Sequence, residues 1–280
     1  MNARVETGVP ESAMRFDIDG TELAVARSGK GPAVVCLHAI AHGGRDFEVF
    51  AKLVGDRFEV ICIDWPGQGR SGADRQSASA ARYAELLAHA LQALGIERPI
   101  LLGNSVGGAA ALILAARGDA NIRAVVACDP GGLIEIDDTA RKAIALMVKF
   151  FGAGERGAGW FGLAFRAYYR FLVLPKRAAK VQRRRIVAAG YENARVLREA
   201  WESFAAPEAD IRALAATIDV PVWFAWAKGD RIVSLKQSRP AIDAMKNARV
   251  TQFAGGHAPF LEQPRAFAKA FVKFVNSLPA

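Results

Sequence analysis

The chain has 280 residues, of which 52% are hydrophobic and 23% charged, the balance of a globular protein with a large buried core. It contains no apolar run near the ~20 residues that cross a bilayer, and its start lacks the apolar stretch of a secretion signal, so we expect a cytoplasmic protein. The formal net charge of +9 comes mostly from residues 133 to 215, but no DNA-binding motif or aromatic platform accompanies it, so we expect no nucleic-acid partner.

Strands and helices alternate along most of the sequence. We expect residues 1–13 to be a flexible arm, and the turn at Asp19-Gly20 then predicts a β-hairpin. The predicted strands that follow cover residues 33–38, 58–64, 99–105, 122–130, 220–230 and 249–255. The predicted helices cover roughly residues 78–94, 106–117, 236–247 and 265–277. This alternation predicts an α/β fold with a mostly parallel, doubly wound sheet covered by helices on both faces.

One long segment interrupts the alternation. Residues 133–217 show helical patterning broken by glycines and prolines, and contain no convincing strand. We therefore expect an all-helical segment inserted into an α/β core that is formed by residues 1–132 and 218–280.

The cysteines and two closely spaced histidines raise the question of a metal site. Cys36, Cys62 and Cys128 lie in apolar strand-like runs without a C-x-x-C spacing, which predicts small buried side chains. His38 and His42 are four residues apart, but they follow a strand, and no cysteine or acidic pair nearby completes a ligand set. We expect no metal, and we expect His38 to be a structural hydrogen-bonding residue.

Residues 67–72 fit the G-x-G-x-x-G pattern of dinucleotide-binding loops. However, Pro66 precedes them, a polar loop separates them from the next helix, and no strand with an acidic tip follows about 20 residues on. We therefore expect no nucleotide cofactor, and no other cofactor is predicted.

The strongest chemical motif is GNSVGG, residues 103–108, which fits G-x-S-x-G between a predicted strand and an alanine-rich helix. A serine on such a sharp turn projects its hydroxyl above the sheet edge, and small residues on either side let strand and helix pack closely. Ser105 is therefore the candidate nucleophile.

A serine nucleophile requires a base and a group that orients the base. His257 follows the last predicted strand, where catalytic groups collect in parallel sheets, whereas His89 lies in mid-helix and is expected at the surface. Asp230 ends the preceding strand and is the favoured acid. Asp129 ends another strand and is the alternative acid, although the sequence DPGGL that it begins (129–133) is also typical of a turn.

Over residues 15–278 the chain resembles the α/β-hydrolase superfamily of serine hydrolases. The motifs that carry this resemblance are Leu37-His38, DWPGQGRSG (64–72), GNSVGG (103–108), KGDRIV (228–233) and GGHAPFLEQP (255–264). The resemblance implies the α/β-hydrolase fold, a triad in the order Ser…Asp…His, and a helical cap at residues 133–217. It also implies an oxyanion hole made by the backbone N–H groups of Val106 and Ile40, with Ala39 where glycine is usual.

We expect a hydrolase that cleaves a small carboxylic ester or related acyl substrate through an acyl-enzyme, as a monomer or homodimer. Trp160, Phe165, Tyr168 and Tyr169 in the helical segment are candidates for the substrate pocket.

The same residues are also compatible with other functions. The motifs also resemble C–C bond hydrolases of anionic diketo acids, for which Arg166 or Arg170 could bind the substrate, but Ala258 stands where those enzymes usually have tryptophan. A perhydrolase or haloperoxidase would use the same triad. A ligand receptor or scaffold built on a hydrolase fold is the alternative without catalysis.

Overall fold

The computed structural model describes residues 13–118 and 120–279, so residues 1–12 of the predicted arm lie outside the described part. Eight strands form one sheet in the order β1-β2-β4-β3-β5-β6-β7-β8. The strands are β1 Met14–Ile18, β2 Thr21–Gly29, β3 Ala33–Leu37, β4 Glu59–Ile63, β5 Ile100–Asn104, β6 Ala124–Cys128, β7 Val222–Ala227 and β8 Ala248–Phe253. Strands β3 to β8 run parallel, which confirms the predicted sheet.

The predicted hairpin forms the antiparallel edge of this sheet. β1 pairs with β2 and β2 with β4, both antiparallel. At the turn, Asp19 and Gly20 both have positive φ, and the Gly20 N–H donates to Asp17 Oδ1 at 2.9 Å. Asp-Gly suits this turn because glycine, and to a lesser degree aspartate, tolerates the left-handed region.

Eleven α-helices lie in the described ranges. They are α1 Glu48–Val54, α2 Ala80–Ala93, α3 Val106–Arg117, α4 Asp138–Glu155, α5 Phe161–Tyr168, α6 Lys180–Ala188, α7 Ala194–Ser203, α8 Arg212–Ala215, α9 Leu235–Asp243, α10 Pro259–Glu262 and α11 Pro264–Val275. The four predicted core helices correspond to α2, α3, α9 and α11. The pattern did not predict α1 and α10, because helices of seven and four residues show too little periodicity to be recognised.

The central strands position the functional residues. Every residue of β5, β6 and β7 is buried, as expected for strands covered on both faces. Their carboxyl ends therefore meet at one edge, where ligands bind in open α/β sheets. Cys36, Cys62 and Cys128 are buried and unpaired in this core, as predicted.

Helices α4 to α8 lie between β6 and β7, and no strand occurs in residues 129–221, all of which are described. Buried phenylalanines, Phe151, Phe161 and Phe165, pack together at the centre of this helical segment. Across the described ranges, no helix combines the length and the apolar character that a membrane crossing requires.

Candidate active site

Ser105 occupies a strained turn between β5 and α3. Its φ of 52° and ψ of −116° lie in a region that residues with a side chain rarely adopt. The turn is held by the Ser105 N–H, which donates to Cys128 O at 2.9 Å, and by the following helix, in which the Ala109 N–H donates to Ser105 O at 2.9 Å. Neighbouring hydrogen bonds thus maintain a conformation that exposes the serine at the sheet edge.

The glycines around Ser105 are required by close packing. A Cβ on Gly103 would lie 2.3 Å from Gly107 O, and a Cβ on Gly107 would lie 2.4 Å from Leu37 O. Both distances are far below van der Waals contact and involve backbone atoms, so strand and helix can meet only where no side chain intervenes.

We expect Gly107→Ala to lower the free energy of unfolding by about 1–3 kcal/mol, because the added methyl group must displace the backbone of β3. Urea denaturation of the purified variant measures the loss. Gly159→Ala is the matched control, since a Cβ there has no atom within 4 Å. Equal stability of the two variants would contradict the packing argument.

His257 and Asp230 form a buried pair at the same edge. His257 Nδ1 lies 2.8 Å from Asp230 Oδ2, and the two side chains are 5% and 1% exposed. Asp230 Oδ1 accepts hydrogen bonds from the N–H groups of Ile232 at 2.7 Å and Val233 at 3.1 Å. The carboxylate therefore holds Nδ1 in its protonated form and leaves Nε2 of the imidazole free to accept a proton.

Ser105 and His257 line the same cavity, which has a volume of about 350 Å³. Apolar side chains from the core loops and from the helical segment make up most of its wall. They include Ile40, Ile134, Ile136, Ile144, Leu146, Met147, Leu172, Val173, Leu197, Trp201, Phe204, Ile232 and Val233. Among the described lining residues, Arg231 is the one arginine, and no lysine, aspartate or glutamate joins it.

Two of the four aromatic residues predicted for the substrate pocket lie in the wall of this cavity. Tyr168 and Tyr169 line the cavity, but Trp160 is 57% exposed at the surface and Phe165 is fully buried among the phenylalanines of the helical segment. Phe161 and Phe165 lie four residues apart on one face of α5, with ring centroids 5.2 Å apart, and that face turns toward the core of the segment. Tyr168 is the last residue of α5, and Tyr169 begins the π-helical turn that continues it.

The loop after β3 also reaches the cavity, through Ala39, Ile40 and His42. The left-handed residue in this loop is Ala41, with φ of 64°, whereas Ala39, which stands where glycine is usual, is not left-handed. The Ala41 N–H donates to Gln68 Oε1 at 2.6 Å, and the His42 N–H donates to Ala39 O at 3.2 Å. These bonds fix the loop beside Ser105.

The G-x-G-x-x-G stretch supports that loop. Asp64 Oδ1 accepts from the Gly44 N–H at 2.5 Å, and Asp64 Oδ2 accepts from the backbone and side chain of Arg70. Gln68 Nε2 also donates to Tyr83 Oη at 2.9 Å. The glycines serve tight turns around a buried carboxylate. Sequence reasoning missed the anchoring roles of Asp64 and Gln68, because nothing in the local pattern pairs two distant loops.

Both histidines of this loop make buried hydrogen bonds. His38 Nε2 accepts from the Trp65 N–H at 2.8 Å and Nδ1 donates to Ala39 O at 2.7 Å, while burial lowers the pKa of His38. This arrangement confirms the predicted structural role. His42 Nδ1 is hydrogen-bonded to Asp46 Oδ2, and both side chains are buried.

Two further residues hold the loop of His257. Asn104 Nδ2 donates to His257 O at 2.9 Å and to Cys128 O at 3.0 Å, which ties this loop to β5 and β6. Glu262 accepts from the N–H groups of Gly256 and Lys176, and burial raises the pKa of Glu262. Sequence reasoning missed both, although the Asn before Ser105 and the Glu in the HAPFLEQP motif were visible.

Asp129 lies beside the His257–Asp230 pair. One atom each from Asp129, Asp230 and His257, a carboxylate oxygen or ring nitrogen, lie within 4.8 Å of one another. Burial and the adjacent Asp230 raise the pKa of Asp129 well above its usual value.

The chain is similar in sequence to several curated proteins. A pimeloyl-[acyl-carrier protein] methyl ester esterase of Stenotrophomonas maltophilia is 27% identical over 263 residues, covering 90% of this chain and 95% of the relative. An uncharacterized protein of Mycobacterium tuberculosis is 26% identical over 99% of this chain and 85% of its own. The 2-(acetamidomethylene)succinate hydrolase of Mesorhizobium japonicum is 32% identical, but over only 44% of each chain.

Solved structures show the same fold. An esterase from Thermogutta terrifontis superimposes with a TM-score of 0.77 at 21% identity, covering 94% of this chain and 98% of that one. The enol-lactonase from Burkholderia xenovorans superimposes with a TM-score of 0.76 at 22% identity, covering 94% and 100%. The family model of the alpha/beta hydrolases matches residues 34–270. With the eight-stranded sheet and the serine turn described above, this match establishes that the chain belongs to the alpha/beta hydrolase family and has its fold.

Proposed function

We propose that the protein is a serine carboxylesterase that acts on small esters with an apolar acyl or alcohol group. The observation that carries this proposal is the shared cavity: a serine on a strained turn and the imidazole of a buried His–Asp pair open into one apolar chamber. The esterases and the lactonase among the similar proteins support ester bonds as the substrate class.

In this proposal Ser105 Oγ attacks the ester carbonyl while His257 Nε2 removes its proton. The proton then passes from His257 to the leaving alcohol oxygen as the C–O bond breaks, which leaves an acyl-enzyme. Water attacks that acyl group with His257 again as base, and the carboxylic acid is released as Ser105 regains its proton.

Asp230 and two backbone groups would stabilise the charges that develop. Asp230 holds the imidazole and stabilises the imidazolium that forms during each step. The Val106 N–H lies in the first turn of α3, where N–H groups have no partner within the helix. With the Ile40 N–H from the cavity wall, it would donate to the oxyanion.

The cavity wall favours neutral substrates over diketo acids. Neither Arg166 nor Arg170 belongs to the described lining residues, and Arg170 Nη1 instead donates to Pro175 O at 3.1 Å. A dianionic substrate would therefore meet Arg231 alone within a wall that is otherwise mostly apolar, which leaves its second charge desolvated and unpaired.

A panel of p-nitrophenyl esters tests this substrate class. We expect kcat/KM to rise from acetate to hexanoate by roughly threefold to fourfold per methylene, because each buried CH₂ contributes about 0.8 kcal/mol until the cavity is filled. A ring-fission diketo acid is assayed beside the panel as the anionic comparison. Faster turnover of that diketo acid, or hydrolysis of none of the esters, would overturn the proposal.

A further inference from the structure

Asp129 is a fully buried carboxyl group with one oxygen left unsatisfied by ordinary donors. It follows β6 with a positive φ of 44°, and its Oδ1 accepts a hydrogen bond from the Ala227 N–H at 2.8 Å. Its Oδ2 is also buried, and no N–H or O–H donor of the described residues reaches it. An ionised carboxylate whose buried oxygen has no donor would cost free energy. This cost favours a protonated Oδ2.

The neighbours of Asp129 oppose a negative charge on it. A carboxylate oxygen of Asp230 lies within 4.8 Å of one of Asp129, and Glu262 adds a second acidic group from α10. Cys128, the residue before Asp129, is a buried thiol, and His257 is already paired with Asp230. Two adjacent buried carboxyl groups cannot both ionise at modest cost, and they share one proton instead.

Hydrogen bonding decides which of the two carries the charge. Asp230 accepts from three N–H donors, those of Ile232, Val233 and the His257 ring, and each favours its ionised form. Asp129 accepts from a single backbone N–H.

We propose that Asp129 is a neutral carboxylic acid whose Oδ2–H donates a hydrogen bond to the Asp230 carboxylate. Asp129 is then a positioning residue, because it fixes the Asp230 carboxylate against His257 without touching the substrate. No bond other than this hydrogen bond forms, and the pair keeps one proton and one negative charge. The kinetic consequence of this inference rests on the proposed esterase function, whereas the protonation state of Asp129 does not.

The first test compares the pH dependence of kcat/KM in wild type, Asp129→Asn and Asp129→Leu with a p-nitrophenyl ester. Asparagine is neutral, as the protonated acid would be, and keeps an N–H donor, so no charge near His257 changes. We therefore expect the acid limb of the kcat/KM profile to stay within about 0.3 pH unit of its wild-type position. Leucine removes the donor, so the unshielded Asp230 charge favours the protonated imidazole of His257 and moves the acid limb of the pH profile to higher pH. If Asp129 were ionised, Asp129→Asn would instead move the limb down by about one pH unit or more, which would overturn the proposal.

The second test needs no catalysis. In the folded protein Asp129 keeps its proton, whereas in the unfolded chain it ionises near the ordinary pKa of an aspartate, about 3.9. Unfolding therefore releases a proton, and the wild type loses stability relative to Asp129→Asn as the pH rises above about 4 toward the raised pKa of the folded state. We expect the ratio of their unfolding equilibrium constants to change by about tenfold per pH unit in that window.

Urea denaturation of both proteins between pH 5 and pH 7 measures this ratio. A ratio that does not change with pH would show that Asp129 ionises normally, and would overturn the proposal even if the esterase assay succeeds. A wild type without esterase activity but with the expected ratio would refute the proposed function while supporting the neutral Asp129.

Discussion

Replacing Ser105 with alanine is expected to lower kcat for a p-nitrophenyl ester by a factor of about 10⁴ to 10⁶. The alanine retains the cavity and the His257–Asp230 pair but removes the atom that would form the acyl-enzyme. Initial rates measured at saturating ester give the loss directly.

A fluorophosphonate probe provides an independent readout of the same residue. We expect covalent labelling of the wild type and none of Ser105→Ala. Ser203→Ala is the matched control, because the Ser203 hydroxyl donates to Ala200 O within α7 and is not part of the cavity wall. Labelling that survives in Ser105→Ala, or a wild-type protein that is not labelled, would refute the nucleophile.

Changing Asp230 to asparagine is expected to lower kcat by about 10⁴. The N–H groups of Ile232 and Val233 would retain the amide oxygen in the place of Oδ1. The amide nitrogen would then face His257 Nδ1 and stabilise the tautomer that carries its proton on Nε2, which cannot accept the serine proton.

Two other variants make this result specific. Asp243→Asn is the surface control, because Asp243 pairs with Arg239 one turn away on α9 and both side chains are exposed. Asp129→Asn is expected to lower kcat by less than about tenfold, since an amide replaces the acid as donor. A large loss in Asp129→Asn with a small loss in Asp230→Asn would make Asp129 the acid that orients His257.

The choice between the two aspartates shows the limit of sequence reasoning. Asp129 and Asp230 both end strands, and the sequence favoured Asp230 because it ends the strand before that of His257 and because the DPGGL context of Asp129 is also typical of a turn. In the structure β6 and β7 are neighbours, so the two carboxyl groups meet instead of competing from separate places. Their roles then differ through hydrogen bonds from N–H groups that no motif specifies.

The cavity wall shows a second limit. Composition placed aromatic residues in the helical segment correctly, but which of them face the cavity depends on the rotation of α5. Phe165 points into the segment and Tyr168 into the cavity, although they are three residues apart. Nothing in the local sequence distinguishes the two environments, because both are apolar.

By itself the sequence determined the order of strands and helices, the helical segment and the turn at Ser105, because periodicity and the glycines of a tight turn act between near neighbours in the chain. Only the tertiary structure decided which groups surround Asp129 and which side chains enclose the cavity. It also decided that Gln68 and Asp64 hold the loop of Ile40 through hydrogen bonds. Those properties depend on burial and on contacts between residues far apart in sequence, such as the 98 positions between Ala227 and Asp129.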